Sequence, residues 1–223
     1  LRTSTQGTIQ NLETKPIIVN NYEFGATGQI SKWVNYEITS YVSTSKLGAS
    51  FVQSADRALT IQRSPEIVYG IEGFLHFTPA KWINFGGSYS WMEGITSIKD
   101  DGDYSAKINN SRISAPKILA YVQARPIQTL SIGFDMLHAF EQNRFQPNAK
   151  TGLFVYGEGY VPEYTVFNFK SSYEINTNWR VSLGIENLFN KMYQPAIAWW
   201  SARDSEFVNS LGRRGTLMLE YKF

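Results

Sequence analysis

Trp179-Arg180-Val181-Ser182-Leu183-Gly184-Ile185-Glu186 takes turns: odd positions are apolar, even positions are polar or small. Successive side chains of an extended chain point to opposite faces, so this spacing describes a strand with one oily side and one wet side. The end of the chain repeats it, with Leu217, Leu219, Tyr221 and Phe223 set against Thr216, Met218, Glu220 and Lys222. Upstream, Ile83, Phe85, Tyr89 and Trp91 alternate with Asn84, Gly86, Ser88 and Ser90, and Leu130, Ile132, Phe134 and Met136 with Ser131, Gly133 and Asp135. Thr165, Phe167, Phe169, Tyr173 and Ile175 oppose Asn168, Lys170, Ser172 and Glu174, whereas Ile113 to Ala124 shows no consistent facing. Period two recurs from about Ile18 to Phe223 and no helical period competes with it.

The connections between these segments alternate in length. Short turns are expected at Ser31–Trp33, Thr78–Lys81, Arg125–Gln128 and Asn176–Asn178, three of them carrying the Pro or Asn that favours a turn. Long polar loops are expected at about Thr44–Asp56, Ser97–Asn110, Asn143–Tyr160 and Asn190–Ser210. Short turns at one end and long loops at the other are the asymmetry of outer-membrane barrels. No run of about 18 apolar residues occurs, so a spanning helix is excluded, while segments of about 9 to 11 residues suffice for tilted spanning strands. The expected fold is therefore all-β, an antiparallel transmembrane barrel wall of roughly nine strands. Single-chain bacterial barrels close with an even number. Nine strands imply an incomplete barrel, with residues 1–15 forming the end of a preceding outer loop.

Composition removes other classes. Aromatic residues reach 15% while the hydrophobic total of 43% is ordinary, so rings are in excess and aliphatic bulk is not. A net charge of +2 without a Lys/Arg block gives no electrostatic case for nucleic acid. The absence of cysteine excludes disulfides and thiolate sites, and Leu1 to Gln10 lacks the build of a secretory signal. No nucleophile elbow, phosphate loop, zinc signature or paired-carboxylate constellation is present, so neither an enzyme nor a bound cofactor is expected.

Two segments carry a family resemblance. Val181 to Tyr193, VSLGIENLFNKMY, resembles the C-terminal signature of TonB-dependent outer-membrane receptors through Glu186-Asn187-Leu188-Phe189-Asn190 with Lys191 and Tyr193. The end of the chain, GRRGTLMLEYKF from Gly212 to Phe223, is similar to the final strand of that family; Leu211 departs from the Pro usual before Gly-Arg. Asn21-Tyr22-Glu23-Phe24-Gly25 and Tyr69-Gly70-Ile71-Glu72-Gly73 are similar to its recurrent Tyr-Glu-Leu-Gly and Gly-Val-Glu strands. The resemblance covers about Glu13 to Phe223 and implies residues 1–223 as the C-terminal part of a barrel of about 22 strands. The plug domain and the TonB box of such a receptor are absent from this sequence. It further implies import of a large nutrient such as a ferric siderophore across a Gram-negative outer membrane, with outer-membrane lipid and the TonB complex as partners, the latter through the missing N-terminal part. A non-transporting barrel (adhesin, assembly platform or porin) is the alternative. A soluble β-sandwich is a third reading, and it would bury Phe167, Phe169, Tyr221 and Phe223 in a protein core.

Ligand contacts are sought on loops held by a rigid frame. Tyr156, Tyr160, Trp199, Trp200 and Arg203 combine flat apolar surface with one cation, suited to a bulky anionic chelate, against the ordinary reading of rim aromatics as girdle or loop packing. Asn187 to Asn190 read as a structural turn in preference to a substrate contact. Asp100-Asp101-Gly102-Asp103 lacks the spacing and distant Glu of a calcium loop, and His76 and His138 have no second histidine at ligand spacing, so no metal site is expected. Glu72, Glu174, Glu186 and Glu220 fall on the wet register, where they are expected to stay hydrated or to pair with Lys170 or Lys222.

Overall fold

A computed structural model describes residues 16–53, 59–97, 102–154, 158–195 and 209–223. It contains one antiparallel sheet of ten strands: β1 (Val19–Ser31), β2 (Val34–Gln53), β3 (Leu59–Ala80), β4 (Ile83–Thr96), β5 (Ala106–Lys107), β6 (Lys117–Ile127), β7 (Leu130–Ala139), β8 (Tyr164–Glu174), β9 (Trp179–Glu186) and β10 (Arg214–Tyr221). Nine strands run side by side in chain order, and the two-residue β5 pairs with β4 off that path. β1 and β10 lie at its two ends, so the sheet is open among the described residues.

Register decides which side chains share a face. Across β10, β9 and β8 the ladder sets Leu217 against Leu183 and Leu219 against Val181, then Val181 against Tyr173 and Ile185 against Phe169. The same oily row continues through Phe134 on β7, Val122 on β6 and Phe85 on β4 to Phe77 on β3. The alternate row carries Glu220, Arg180 and Glu174, then Lys170, Asp135 and Asn168. The side that sequence marks as oily is also the side left open: Phe24 is 81% exposed, Leu217 74% and Leu75 56%. A protein core would have inverted that relation. None of Phe167, Phe169, Tyr221 and Phe223 is buried, which removes the sandwich reading. β6 obeys the same rule, with Ile118, Ala120, Val122 and Ala124 on the oily side; its facing is illegible in sequence because small alanines stand there while Leu119 stands on the wet side.

The hairpin turns gather at one end: Lys32–Trp33, Lys81–Trp82, Gln128–Thr129 and Ile175–Asn178 separate the strands. The expected Thr78–Lys81 and Arg125–Gln128 turns begin too early, since β3 and β6 carry on through Pro79 and Pro126 with a register shift before each turn. In the last turn Asn176 Oδ1 accepts from the backbone N–H groups of Asn178 and Trp179, both at 2.9 Å. The opposite, loop end needs a larger correction. Most of the expected loop Thr44–Asp56 is strand, because β2 and β3 stay paired from Val34/Phe77 up to Gln53/Leu59. These strands of 20 and 22 residues extend about ten residues beyond what a bilayer requires.

Candidate functional site

Conventional burial is found above the loop end of β3 and β4. The segments 102–116, 140–154 and 158–161 fold back over β4 as a cap, with Ile108 and Ile113 each 1% exposed. Gly94 makes room for them: a Cβ there would lie 2.6 Å from Ile113 Cδ1 and 2.9 Å from Ile108 Cδ1. The Ser97–Asn110 loop is held by β5 alongside Ile95 and Thr96, and by Ile108 N–H donating to the Gly94 carbonyl at 2.8 Å. The Asn143–Tyr160 loop is closed at its base by an antiparallel bridge between Gln142 and Val161. Gln142 Nε2 then donates to the Ile113 carbonyl at 3.1 Å, and Asn110 Nδ2 to the Gly159 carbonyl at 2.7 Å, so the two loops form one unit.

Two ion pairs bind this unit to the strands. The Arg144 guanidinium engages the Glu93 carboxylate and donates to the Ile108 carbonyl at 2.9 Å. Arg112 grips Glu66 with both terminal nitrogens at 2.7 Å, a two-point geometry stronger than a single contact. Partners separated by 46 and 51 residues leave no sequence signal, and neither pair was expected from the sequence.

The signature motif forms a second knot at the same end. Asn187 and Asn190 adopt positive φ, 50° and 53°, a conformation Asn tolerates better than most residues. Asn187 Oδ1 accepts from Lys191 N–H at 2.7 Å and its Nδ2 donates to the Lys191 carbonyl at 2.8 Å, while Asn190 Oδ1 accepts from Arg213 N–H at 2.9 Å. Asn187 is buried and fully engaged with backbone, so the motif ties the end of β9 to the start of β10. Leu211, at the position usually held by Pro, offers its carbonyl to Asn187 Nδ2 at 3.3 Å. Tyr193 stacks on Tyr164 at 4.4 Å beside this turn.

Of the residues singled out for ligand contact, Tyr160 alone is described; Tyr156, Trp199, Trp200 and Arg203 lie outside the described residues. Tyr160 is 40% exposed and donates to Glu141 Oε2 at 3.0 Å, and this hydrogen bond to a carboxylate raises its phenol above the usual range. Burial raises the neighbouring Glu158 carboxyl as well. No group of three metal-ligating side chains occurs among the described residues. His76 bonds Tyr121 and Thr78 on the wet face, and His138 bonds Thr165, so both are wall residues. The wet-face carboxylates find arginine partners in place of Lys170 or Lys222: Glu174 and Glu220 both meet Arg180 and Glu186 meets Arg214, while Lys170 lies 3.8 Å from Asp135. The register explains it, since Arg180 sits directly opposite Glu220 on one side and Glu174 on the other.

An open antiparallel wall with its oily side outward, hairpins at one rim and folded loops at the other is a class of structure built to line a membrane barrel. The chain belongs to the TonB dependent receptor-like, beta-barrel family, whose model matches residues 2–188. Among solved structures it is similar to a copper transporter, OprC, at 17% identity and a TM-score of 0.75, covering 94% of this chain and 31% of that one. It is also similar to the ferric-catecholate import receptor Fiu of E. coli K12 (17% identity, TM-score 0.64, 100% of this chain and 30% of that one). The FrpB iron transporter of Neisseria meningitidis matches at 16% identity with a TM-score of 0.68, over 92% of this chain and 31% of its own. At such identities the likeness is one of fold. This chain spans about 30% of the length of those barrels.

Proposed function

We propose that this chain is part of the wall of an outer-membrane receptor that imports a large nutrient, a ferric siderophore or comparable metal chelate, in a Gram-negative bacterium. The observation that carries the reading is the inversion of the two faces: rings and aliphatic chains stand exposed on one side while Glu, Arg, Lys and Asn interlock on the other. Such a wall is stable in hydrocarbon and encloses a hydrated lumen. In this proposal a plug and a TonB box, supplied by sequence beyond this chain, gate the lumen and couple it to inner-membrane energy. The loop end receives the ligand, with Tyr156, Tyr160, Trp199, Trp200 and Arg203 as its contacts. Support for that assignment is the cap, which gives the loop bearing Tyr160 a folded base.

The test is uptake of labelled iron chelates by cells whose only receptor is the full-length protein. Energy-dependent uptake that stops when the inner-membrane gradient is collapsed is expected; gradient-independent leakage of small solutes would instead indicate a porin. Replacing Trp199 and Trp200 together by Ala then asks whether the last loop meets the ligand, and unchanged uptake would remove both from the site.

A further inference from the structure

The oily side of the wall is not smooth. Gly73 stands between Ile38 and Tyr89 in the ladder, and Gly87 stands between Leu75 and Ala120. Two missing side chains in adjacent strands leave a recess of about 750 Å³, whose exposed lining is almost wholly apolar. That volume falls within the roughly 300–1,000 Å³ typical of small-molecule sites. The recess runs from Ile30 and Val34, beside the first hairpin turn, up to Ile38 and Tyr89. Four residue steps from Val34 to Ile38 span about 14 Å. One leaflet of hydrocarbon is about 15 Å deep, half of the ~30 Å core. With strands tilted about 40° from the barrel axis, that length covers roughly 11 Å of depth, so the recess accommodates most of one acyl chain in the leaflet on the turn side.

Charge at the rim selects the headgroup. Lys32, Lys81 and Arg125 stand exposed at three successive hairpins. Backbone bonds draw these turns together: Thr78 N–H donates to the Trp33 carbonyl at 2.8 Å and Arg125 N–H to the Trp82 carbonyl at 2.6 Å. None of the three cations pairs with a carboxylate among the described residues. Trp33 and Trp82, both exposed, accompany them at the depth where amphipathic rings meet headgroups. Farther along the wall Arg180 meets two carboxylates and Arg214 one. Three cations without a carboxylate partner among the described residues, Lys32 resting over the Trp33 ring at 4.7 Å, stand above an apolar recess and match an anionic glycerophospholipid.

We propose that the Gly73–Gly87 recess seats one acyl chain of a phospholipid with an acidic headgroup, whose phosphate is held by Lys32, Lys81 and Arg125. The site rests on the membrane-spanning part of the proposed function and is independent of what the receptor imports. Its consequence is a lipid fixed to one arc of the barrel, with the other wall strands left to exchanging lipid.

The experiment is native mass spectrometry of the full-length protein, delipidated in detergent and then offered phosphatidylglycerol and phosphatidylethanolamine in equal amounts. One phosphatidylglycerol retained in preference to phosphatidylethanolamine, with retention falling as salt rises, is expected. A triple Lys32→Ser, Lys81→Ser, Arg125→Ser variant should bind it about a hundredfold more weakly, each surface cation near an anionic lipid contributing roughly a fivefold factor. Gly73→Leu should abolish retention by filling the recess while leaving the rim charges in place. Equal retention by wild type and the triple variant, or no preference for the acidic lipid, overturns the proposal. Should Gly73→Leu fail to fold, judged by heat-modifiable gel migration, the triple variant carries the test because it alters only turn-end side chains. Should the protein instead prove soluble without detergent, the membrane reading and this inference fall together; loss of the lipid preference in a detergent-dependent protein sinks this inference alone.

Discussion

The wall and the cap bury opposite things. In the strand ladder the large apolar side chains are the exposed ones, Phe134 at 45% and Leu183 at 39%, and cohesion comes from cross-strand backbone pairing and an interlocked polar face. In the cap, Ile108 and Ile113 are fully enclosed and the polar groups close around them, as in any water-soluble core. One chain thus obeys two solvents, and the boundary between them lies near Gly94, where β4, still paired with β3, has passed its last pair with β6 at Ser90 and begins to hold loops.

Both halves of the contrast can be broken. Ile113→Ala should cost the cap about 2–5 kcal/mol, the cost of emptying a filled apolar site, and should leave the wall intact. Faster proteolysis within 102–116 and 140–161, at unchanged heat-modifiable migration of the barrel, is the expected readout. A global loss of barrel stability would mean that cap and wall form one cooperative unit. Phe134→Arg puts a charge in the middle of the oily face and should destabilise the folded protein in lipid vesicles by about 2–4 kcal/mol, measured by urea titration. Ser172→Arg, three ladder positions from the Phe134/Phe169 pair and on the wet face, should cost far less. Equal losses at the two positions would refute the assignment of faces. Asn187→Ala removes a buried side chain whose amide satisfies two carbonyls and one backbone N–H, and should cost about 1–3 kcal/mol at the loop end of β9. Hydrogen exchange at Lys191 and Arg213 would report it, and unchanged protection there would strip the motif of its structural role.

How far the sequence reveals this arrangement follows from the same contrast. In the wall each residue faces one of two solvents, so Trp179 to Glu186 and Leu130 to Met136 declare their orientation one residue at a time. The strands, their facing and the hairpin end were legible for that reason, and β6 was not, because Ala120 and Ala124 satisfy either side. In the cap, structure comes from long-range pairing: Arg144 finds Glu93 and Asn110 finds Gly159 across tens of residues, with no local period to announce them. The extended β2–β3 hairpin was missed for a related reason. The ladder shifts register between Ser45 and Gly48, which breaks the alternation there, and the polar, small-residue sequence that follows reads as loop. Among the ligand candidates, rings near the loop end could be picked out by composition, while their partners, such as Glu141 for Tyr160, could not.

The smallest effect concerns pH and tests whether the cap is a dry core. Burial raises the Glu158 carboxyl above its ordinary value of 4.5, whereas the unfolded chain leaves it near that value. A group that holds its proton more tightly in the folded state favours folding most when protonated. The cap should therefore be most stable below about pH 4.5 as far as this group is concerned, and should lose that increment as pH rises through the folded value. Other carboxylates act in the opposite direction, since acid also removes the charge from Glu66 and Glu93 and weakens their pairs with Arg112 and Arg144. The contribution of Glu158 is isolated by difference: Glu158→Gln should make cap proteolysis at neutral pH slower than in the wild type, with the two converging in acid. No difference at neutral pH would mean that water reaches Glu158 freely, and the line between dry cap and wet loop would then have to be drawn below Gly159.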